Sequence, residues 1–121
     1  MKTPFENFSL LHVGINCASE EEARQQTNLY CSMLGKECIE LEQSYFVGTV
    51  IEVMKKPFLG AHGHMAYGVW DMQEALDLLA KKGFYPDMDT AVYDDQEQLI
   101  VVYLAGEFGG FAVHLKLLTD A

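Results

Sequence analysis

Basic residues are scarce in this chain. Eight Lys and Arg stand against 18 Asp and Glu, a formal net charge of −10 over 121 residues. Nucleic-acid binding draws its affinity from a basic face that releases counterions, and a polybasic membrane anchor needs clustered Lys and Arg; both are excluded. No apolar run approaches the roughly 20 residues of a membrane span. The opening Met1-Lys2-Thr3-Pro4-Phe5-Glu6 lacks the apolar core of a signal peptide, so a cytoplasmic protein is expected. Cysteine is also sparse. Cys17, Cys31 and Cys38 are odd in number and contain no C-x-x-C pair, which predicts reduced thiols rather than a disulfide framework or a zinc clip. Phosphate-binding loops, dinucleotide fingerprints and nucleophile elbows are missing. Apolar residues are plentiful: 50% of the chain is hydrophobic, enough for the core of one domain spanning 1–121. Most of the acidic residues read as solvated surface that keeps such a domain soluble.

The order of elements repeats. Ser9–Cys17 alternates Leu11, Val13 and Ile15 against His12, Gly14 and Asn16, the period of a half-buried strand. Ser19-Glu20-Glu21-Glu22 then opens a helix as a capping box, Ala23, Thr27, Tyr30, Cys31 and Leu34 form its stripe, and Gly35 ends it. Short strands are expected at Glu37–Leu41, Tyr45–Gly48 and Val50–Lys55, the last stopped by Pro57. After the connector Phe58–Gly63 the plan restarts with His64–Trp70, alternating Met65, Tyr67 and Val69 against His64, Ala66 and Gly68. Asp71 and Glu74 form a second capping signature, and the helix carrying Met72, Ala75, Leu76 and Leu79 stops at Gly83. Ala91–Tyr93 and Leu99–Leu104 read as a hairpin around Asp94-Asp95, and Phe111–Leu117 is the last strand. The fold expected is α+β: two βαβββ modules, about 8–57 and 63–118, paired in a curved mixed sheet around shared packing. Roughly sixty residues would make a marginal domain alone.

Strand parity then sorts the polar residues. With Leu11, Val13, Ile51, Val53, Met65, Tyr67, Val113 and Leu115 packed beneath the helices, the opposite face carries His12, Glu52, His64 and His114. They lie on the first and last strands of each half, which a pseudo-symmetric pairing brings to one concave surface. Only four of the 121 residues are histidine, and three fall at equivalent places in the repeat. Three imidazoles and a carboxylate suit a divalent ion such as Zn, Ni, Co, Fe or Mn.

These strands carry a resemblance. Leu11-His12-Val13-Gly14, Val50-Ile51-Glu52-Val53, Gly63-His64-Met65-Ala66 and Gly109-Gly110-Phe111-Ala112-Val113-His114-Leu115 resemble the four metal-bearing strand motifs of the vicinal-oxygen-chelate superfamily (glyoxalase I, methylmalonyl-CoA epimerase, extradiol dioxygenases, bleomycin-resistance proteins). The resemblance covers nearly the whole chain. It implies a glyoxalase-like fold, a divalent metal held by His12, Glu52, His64 and His114, and an isomerase or lyase acting on adjacent oxygens, often by proton abstraction. A narrower similarity, in LLHVGIN, IEVMKKPFLGAHGHMAYG and YLAGEFGGFAVHL, is to a domain fused behind some bacterial 2-keto-4-hydroxyglutarate / 2-keto-3-deoxy-6-phosphogluconate aldolases. It leaves open a second reading, a non-catalytic small-molecule-binding or accessory domain of sugar-acid aldolase metabolism. The first reading is a glyoxalase- or epimerase-type enzyme acting on a small 2-keto or 2-hydroxy acid-like substrate. His114 departs from the family, whose eighth-strand ligand is usually glutamate. Glu52 is therefore the carboxylate left to act as catalytic base, unless a metal-bound hydroxide does so.

Three further residues are candidates for substrate binding. Lys116 shares the parity of His114 and suits a carboxylate or phosphate, or else snorkels at the surface. Asn16 and Tyr103 can line the cavity or pack at its rim. Met54 reads as wall, His62 as a polar loop residue, and Cys17 takes the helix-facing parity. Small members of the family usually pair, so a homodimer is expected, with a small-molecule ligand and neither nucleic acid nor membrane as partner.

Overall fold

A computed structural model describes residues 8–119; the expectation drawn from Met1–Glu6 concerns residues outside them. The elements run β1 (Phe8–Asn16), α1 (Glu20–Leu34), β2 (Cys38–Glu40), β3 (Ser44–Val47), β4 (Ile51–Met54), β5 (Gly63–Val69), α2 (Met72–Lys81), β6 (Pro86–Tyr93), β7 (Leu99–Leu104) and β8 (Phe111–Leu117).

Both helices begin where side chains replace missing backbone acceptors. Ser19 accepts a hydrogen bond from the Glu22 amide, and the Glu22 carboxylate reaches back to the Ala18 amide, one residue earlier than the ideal reciprocal box. Asp71 accepts from the Glu74 amide at the start of α2. Gly35 closes α1 in the left-handed conformation, φ 62°, which a side chain would resist. The apolar stripes then bury against the sheet as two separate cores, correcting the expectation that the halves share one. Ala23 packs with Cys17, Tyr45, Val47 and Val53 under α1, while Met72 and Ala75 pack with Val69, Val102, Leu104 and Leu115 under α2. Burial of Cys17 in the first core agrees with its parity.

All eight strands join one mixed sheet in the order β2-β3-β4-β1-β5-β8-β7-β6. Read from the centre outwards, each half repeats the other. β1 pairs parallel with β4 and β5 parallel with β8, and the antiparallel β1–β5 pair joins the modules within one chain. This is the curved α+β sheet of two βαβββ units expected from the repeat. No helix among the described residues is long and apolar enough to cross a membrane.

Three details differ from expectation. β6 begins at Pro86 rather than Ala91. Its early residues, Pro86, Asp87, Met88 and Asp89, have poor strand propensity, but an edge strand tolerates an opening proline and a broken ladder. The register of β6 against β7 shifts between Asp87 and Val92, and there Thr90 Oγ1 accepts from the Tyr103 amide at 2.8 Å and donates to the Asp87 carbonyl at 2.7 Å. A second irregularity lies in β1, where the pairing with β5 shifts between Leu10 and His12, interrupting the alternation at Leu11. Finally, Cys31 and Cys38 are joined in a disulfide with Cα atoms 6.3 Å apart, correcting the expectation of three reduced thiols. The Gly35 turn folds the chain back, so the last turns of α1 face the start of β2. Counting cysteines and searching for C-x-x-C cannot detect a pair seven residues apart that a helix terminus brings together.

Candidate metal centre

The register of the four central strands places the candidate ligands in two short rows. Gly14 of β1 lies between Glu52 of β4 and His64 of β5; Ala66 of β5 lies between His12 of β1 and His114 of β8. Each row therefore has a small residue at its centre, over which long side chains can lean. At Gly14 the requirement is steric. A Cβ there would run directly into the His64 imidazole ring, which lies over the Gly14 α-carbon. The strand's own backbone at Gly14 does not adopt positive φ, so the glycine is needed for space rather than for conformation.

The four side chains meet on this face. His12 Nε2 and His64 Nε2 lie 3.3 and 3.2 Å from Glu52 Oε1, and 3.2 Å from each other. One imidazole nitrogen from each of His12, His64 and His114 falls in a group whose members all lie within 4.8 Å of one another. Glu52 approaches from the side of His12 and His64. Its second oxygen, Oε2, accepts a 2.6 Å hydrogen bond from Ser44 Oγ, and Ser44 is itself buried. Aromatic rings flank the cluster on both sides: Phe46 meets His12 edge-on at 5.3 Å, and Tyr103 stacks on His114 at 4.7 Å with planes 12° apart. Phe46 stands opposite Glu52 in the β3–β4 ladder just as Tyr103 stands opposite His114 in the β7–β8 ladder.

These surroundings fix the protonation states. Burial would raise the Glu52 pKa, but hydrogen bonds from His12, His64 and Ser44, with a Coulombic contribution from His64, hold it well below the usual carboxylate range. His114 is lowered to about 4, first by burial and then by His64 and His12; Lys116 acts in the same direction and Glu52 opposes it. Tyr103 is raised to about 12, first by burial and then by the Glu52 charge, so its hydroxyl stays protonated. Near neutral pH the face holds an ionised Glu52 and a neutral His114, the forms in which both residue types bind metals.

The donor set fits a divalent ion. His64 Nδ1 and both ring nitrogens of His114 are buried and have no hydrogen-bond partner. Buried polar atoms are rarely left so, and unpaired ones call for an ion or water. The spacing agrees as well. Ligand atoms bound tetrahedrally at about 2.0–2.2 Å stand about 3.3–3.6 Å apart, and the Glu52, His12 and His64 atoms are 3.2–3.3 Å apart.

The other sequence candidates are placed differently. Lys116 is exposed on β8, across from Val101 and outside the buried cluster. Asn16 is engaged in the fold: its amide donates to the Gly60 carbonyl at 2.9 Å and to that of Phe58 at 3.3 Å, while its carbonyl accepts from the Phe58 amide. It thereby straps the connector onto β1, and Phe58 reaches across to meet Tyr103 edge-on at 5.8 Å. Tyr103 is buried and stacks on His114. His62 packs its ring over Gly110 and exchanges backbone hydrogen bonds with Asn16 and Gly110, away from the four-residue cluster. Sequence reasoning missed Ser44, Phe46 and Phe58. Starting β3 one residue earlier would have exposed the first two, because Ser44 and Phe46 share the parity that faces Glu52, whereas Tyr45 and Val47 enter the core under α1.

Two pseudo-equivalent βαβββ units joined through their first strands define a glyoxalase-like α+β fold. Solved structures share it over nearly the full length of both chains. A hypothetical protein from Bacillus halodurans is similar with a TM-score of 0.63 and 16% identity, over 94% of this chain and 96% of that one. Methylmalonyl-CoA epimerase from Streptomyces coelicolor, bound to 2-nitronate-propionyl-CoA, has a TM-score of 0.60 and 15% identity, over 93% and 96%. The Mycobacterium tuberculosis methylmalonyl-CoA epimerase has 0.58 and 20%, over 93% and 89%. At these identities the likeness establishes the fold. No protein-family model matches the chain, and no curated protein matches it in sequence.

Proposed function

We propose that this protein is a metal-dependent enzyme of the glyoxalase/epimerase type, acting on a small 2-keto or 2-hydroxy acid-like substrate. One observation carries the reading: three imidazole nitrogens lie within 4.8 Å of one another, two of them 3.2–3.3 Å from Glu52 Oε1, and His114 keeps both ring nitrogens without a partner. His12, His64, His114 and Glu52 would hold the ion, with Zn, Ni, Co, Fe and Mn all suited to nitrogen and oxygen donors. When bound, the ion supplies Lewis acidity toward an oxygenated substrate. The remaining roles belong to side chains. Glu52, fixed at Oε2 by Ser44, would act as general base only by releasing Oε1 from the ion, so ligand and base are alternating roles of one oxygen. Phe46 and Tyr103 wall the face on either side and limit water. Lys116 lies on the same face two residues beyond His114, where its charge suits the carboxylate of an acid substrate. The epimerase neighbours, whose bound ligands are CoA esters, support the chemical class. A homodimer and a cytoplasmic setting belong to the same reading, in which the Cys31–Cys38 bridge is the exception to a reducing compartment.

Metal analysis of protein purified without a histidine tag tests it. Close to one divalent ion per chain is expected, falling sharply in His64→Ala. Substoichiometric metal, with His64→Ala altering neither metal content nor stability, would overturn the reading. A stoichiometric ion without turnover of any 2-keto or 2-hydroxy acid would instead leave a binding domain.

A further inference from the structure

We propose that Ser44 is a positioning residue that restricts Glu52 to offering a single oxygen to the metal, so that one coordination position stays free for substrate. The inference rests on the metal reading above and extends it to a residue outside the ligand set.

The geometry assigns the two carboxylate oxygens separate tasks. Oε2 is engaged by the Ser44 hydroxyl at 2.6 Å, a short charge-assisted hydrogen bond. Oε1 alone points at His12 Nε2 and His64 Nε2. A carboxylate free at both oxygens can chelate an ion bidentately, adding a donor and filling a position that a catalytic site must keep open. Ser44 is well placed to prevent this because it cannot move aside. It is 1% exposed, it opens β3, and its neighbour Tyr45 is anchored in the core under α1. β3 is also tied into the ladder with β4, opposite Met54 to Ile51, so donor and acceptor ride on one rigid hairpin. The repeat isolates the role further. The position equivalent to Ser44 in the second module is Val101, across from Lys116, just as Ser44 is across from Met54. Valine has no donor, and the ligand beside it, His114, has no second oxygen to restrain. At this position a hydroxyl occurs in the module whose ligand is a carboxylate and not in the other.

Cobalt(II) is the probe, because its visible bands are intense at four or five coordination and weak at six. Wild-type protein loaded with Co²⁺ is compared with Ser44→Ala and Ser44→Thr, with folding checked by circular dichroism. The inference expects Ser44→Ala to lose band intensity and to change Co²⁺ affinity by about 10-fold or more, the size typical of residues that orient a ligand. Ser44→Thr, which keeps the hydroxyl, is expected to retain the wild-type bands. Wild-type bands and affinity in a folded Ser44→Ala would overturn it. Should that variant not fold, the infrared difference spectrum of the wild type on Co²⁺ binding decides instead. A wide splitting of the carboxylate stretches, as for one-oxygen binding, supports the inference, and a narrow bidentate splitting overturns it. Failure of the wild type to take up Co²⁺ at all is a separate result, which overturns the metal reading and this inference with it.

Discussion

Gly14→Ala adds one methyl group in the middle of a central strand, where ordinary propensity favours alanine by roughly 0.5–1 kcal/mol. The structure predicts the opposite sign. The new Cβ would occupy the space of the His64 ring, which is 2% exposed and has no room to withdraw toward solvent. Overpacking of this kind costs about 1–3 kcal/mol. The net loss of metal-free stability should therefore be about 1–2 kcal/mol, a fall of roughly 4–8 °C in Tm for a domain of this size. The metal-dependent term is larger. An ion at a hundred times its Kd stabilises the wild type by about 2.7 kcal/mol. Displacing His64 moves a nitrogen that now stands 3.2 Å from both Glu52 and His12, so most of that gain should vanish. The assay is a pair of thermal melts for each protein, with and without saturating Zn²⁺ or Co²⁺. Wild type should show a clear upward shift with metal and Gly14→Ala little or none. The reasoning is refuted if Gly14→Ala is as stable as wild type and keeps the full metal shift, because the ring would then not need the space.

Acid should destabilise the metal-free protein from an unusually high pH. His114 has its pKa lowered to about 4 from an ordinary 6.5, so the unfolded chain binds the extra proton and stability falls as pH drops through that window, by up to about 3 kcal/mol. Glu52, also lowered, adds a further loss below its ordinary 4.5. Urea unfolding at pH 7.5, 5.5 and 4.5 measures this, and His114→Gln should flatten the decline between pH 6.5 and 4; an unchanged slope counts against the burial of a neutral imidazole. The Cys31–Cys38 bridge predicts that alkylation of the denatured, unreduced protein labels Cys17 alone. Chain-entropy arguments for so short a loop give about 2–3 kcal/mol for the bridge, so Cys38→Ser should lower the urea midpoint; three labelled thiols would show that the bridge is absent.

The helices and the repeat were legible because they depend on local chemistry. Ser19 and Asp71 cap as their spacing suggests, and Gly35 stops α1 as glycine does. The concave cluster was legible for a different reason: strand alternation is a strict period of two, and His12, Glu52, His64 and His114 carried the minority parity on strands otherwise rich in apolar residues. What escaped was whatever depends on neighbouring strands. Ser44 looks like a loop residue until β4 is seen beside it, and Asn16 looks like a cavity residue until the connector folds onto its amide. Cys31 and Cys38 meet only because the chain reverses at Gly35. None of these contacts has a period in the sequence.

The repeat explains why the face is polarised as well as why it exists. Under the pseudo-two-fold relation His12 corresponds to His64, Gly14 to Ala66 and Phe46 to Tyr103; each pair preserves type, an imidazole, a small residue and an aromatic wall. Those are the features needed to seat nitrogens at the centre of a sheet and shield them. The same relation pairs Glu52 with His114, Ser44 with Val101, Met54 with Lys116 and Asn16 with Gly68, and at each of these type is lost. The preserved positions build a symmetric cradle; the divergent ones place a restrained carboxylate on the β4 side and a neutral imidazole with a nearby ammonium on the β8 side. A symmetric face could hold an ion but could not distinguish the two ends of a substrate. Under the proposed function Glu52 would serve one end of the substrate and the exposed Lys116 the other, the asymmetry that an acid with its reacting carbon beside its carboxylate would require.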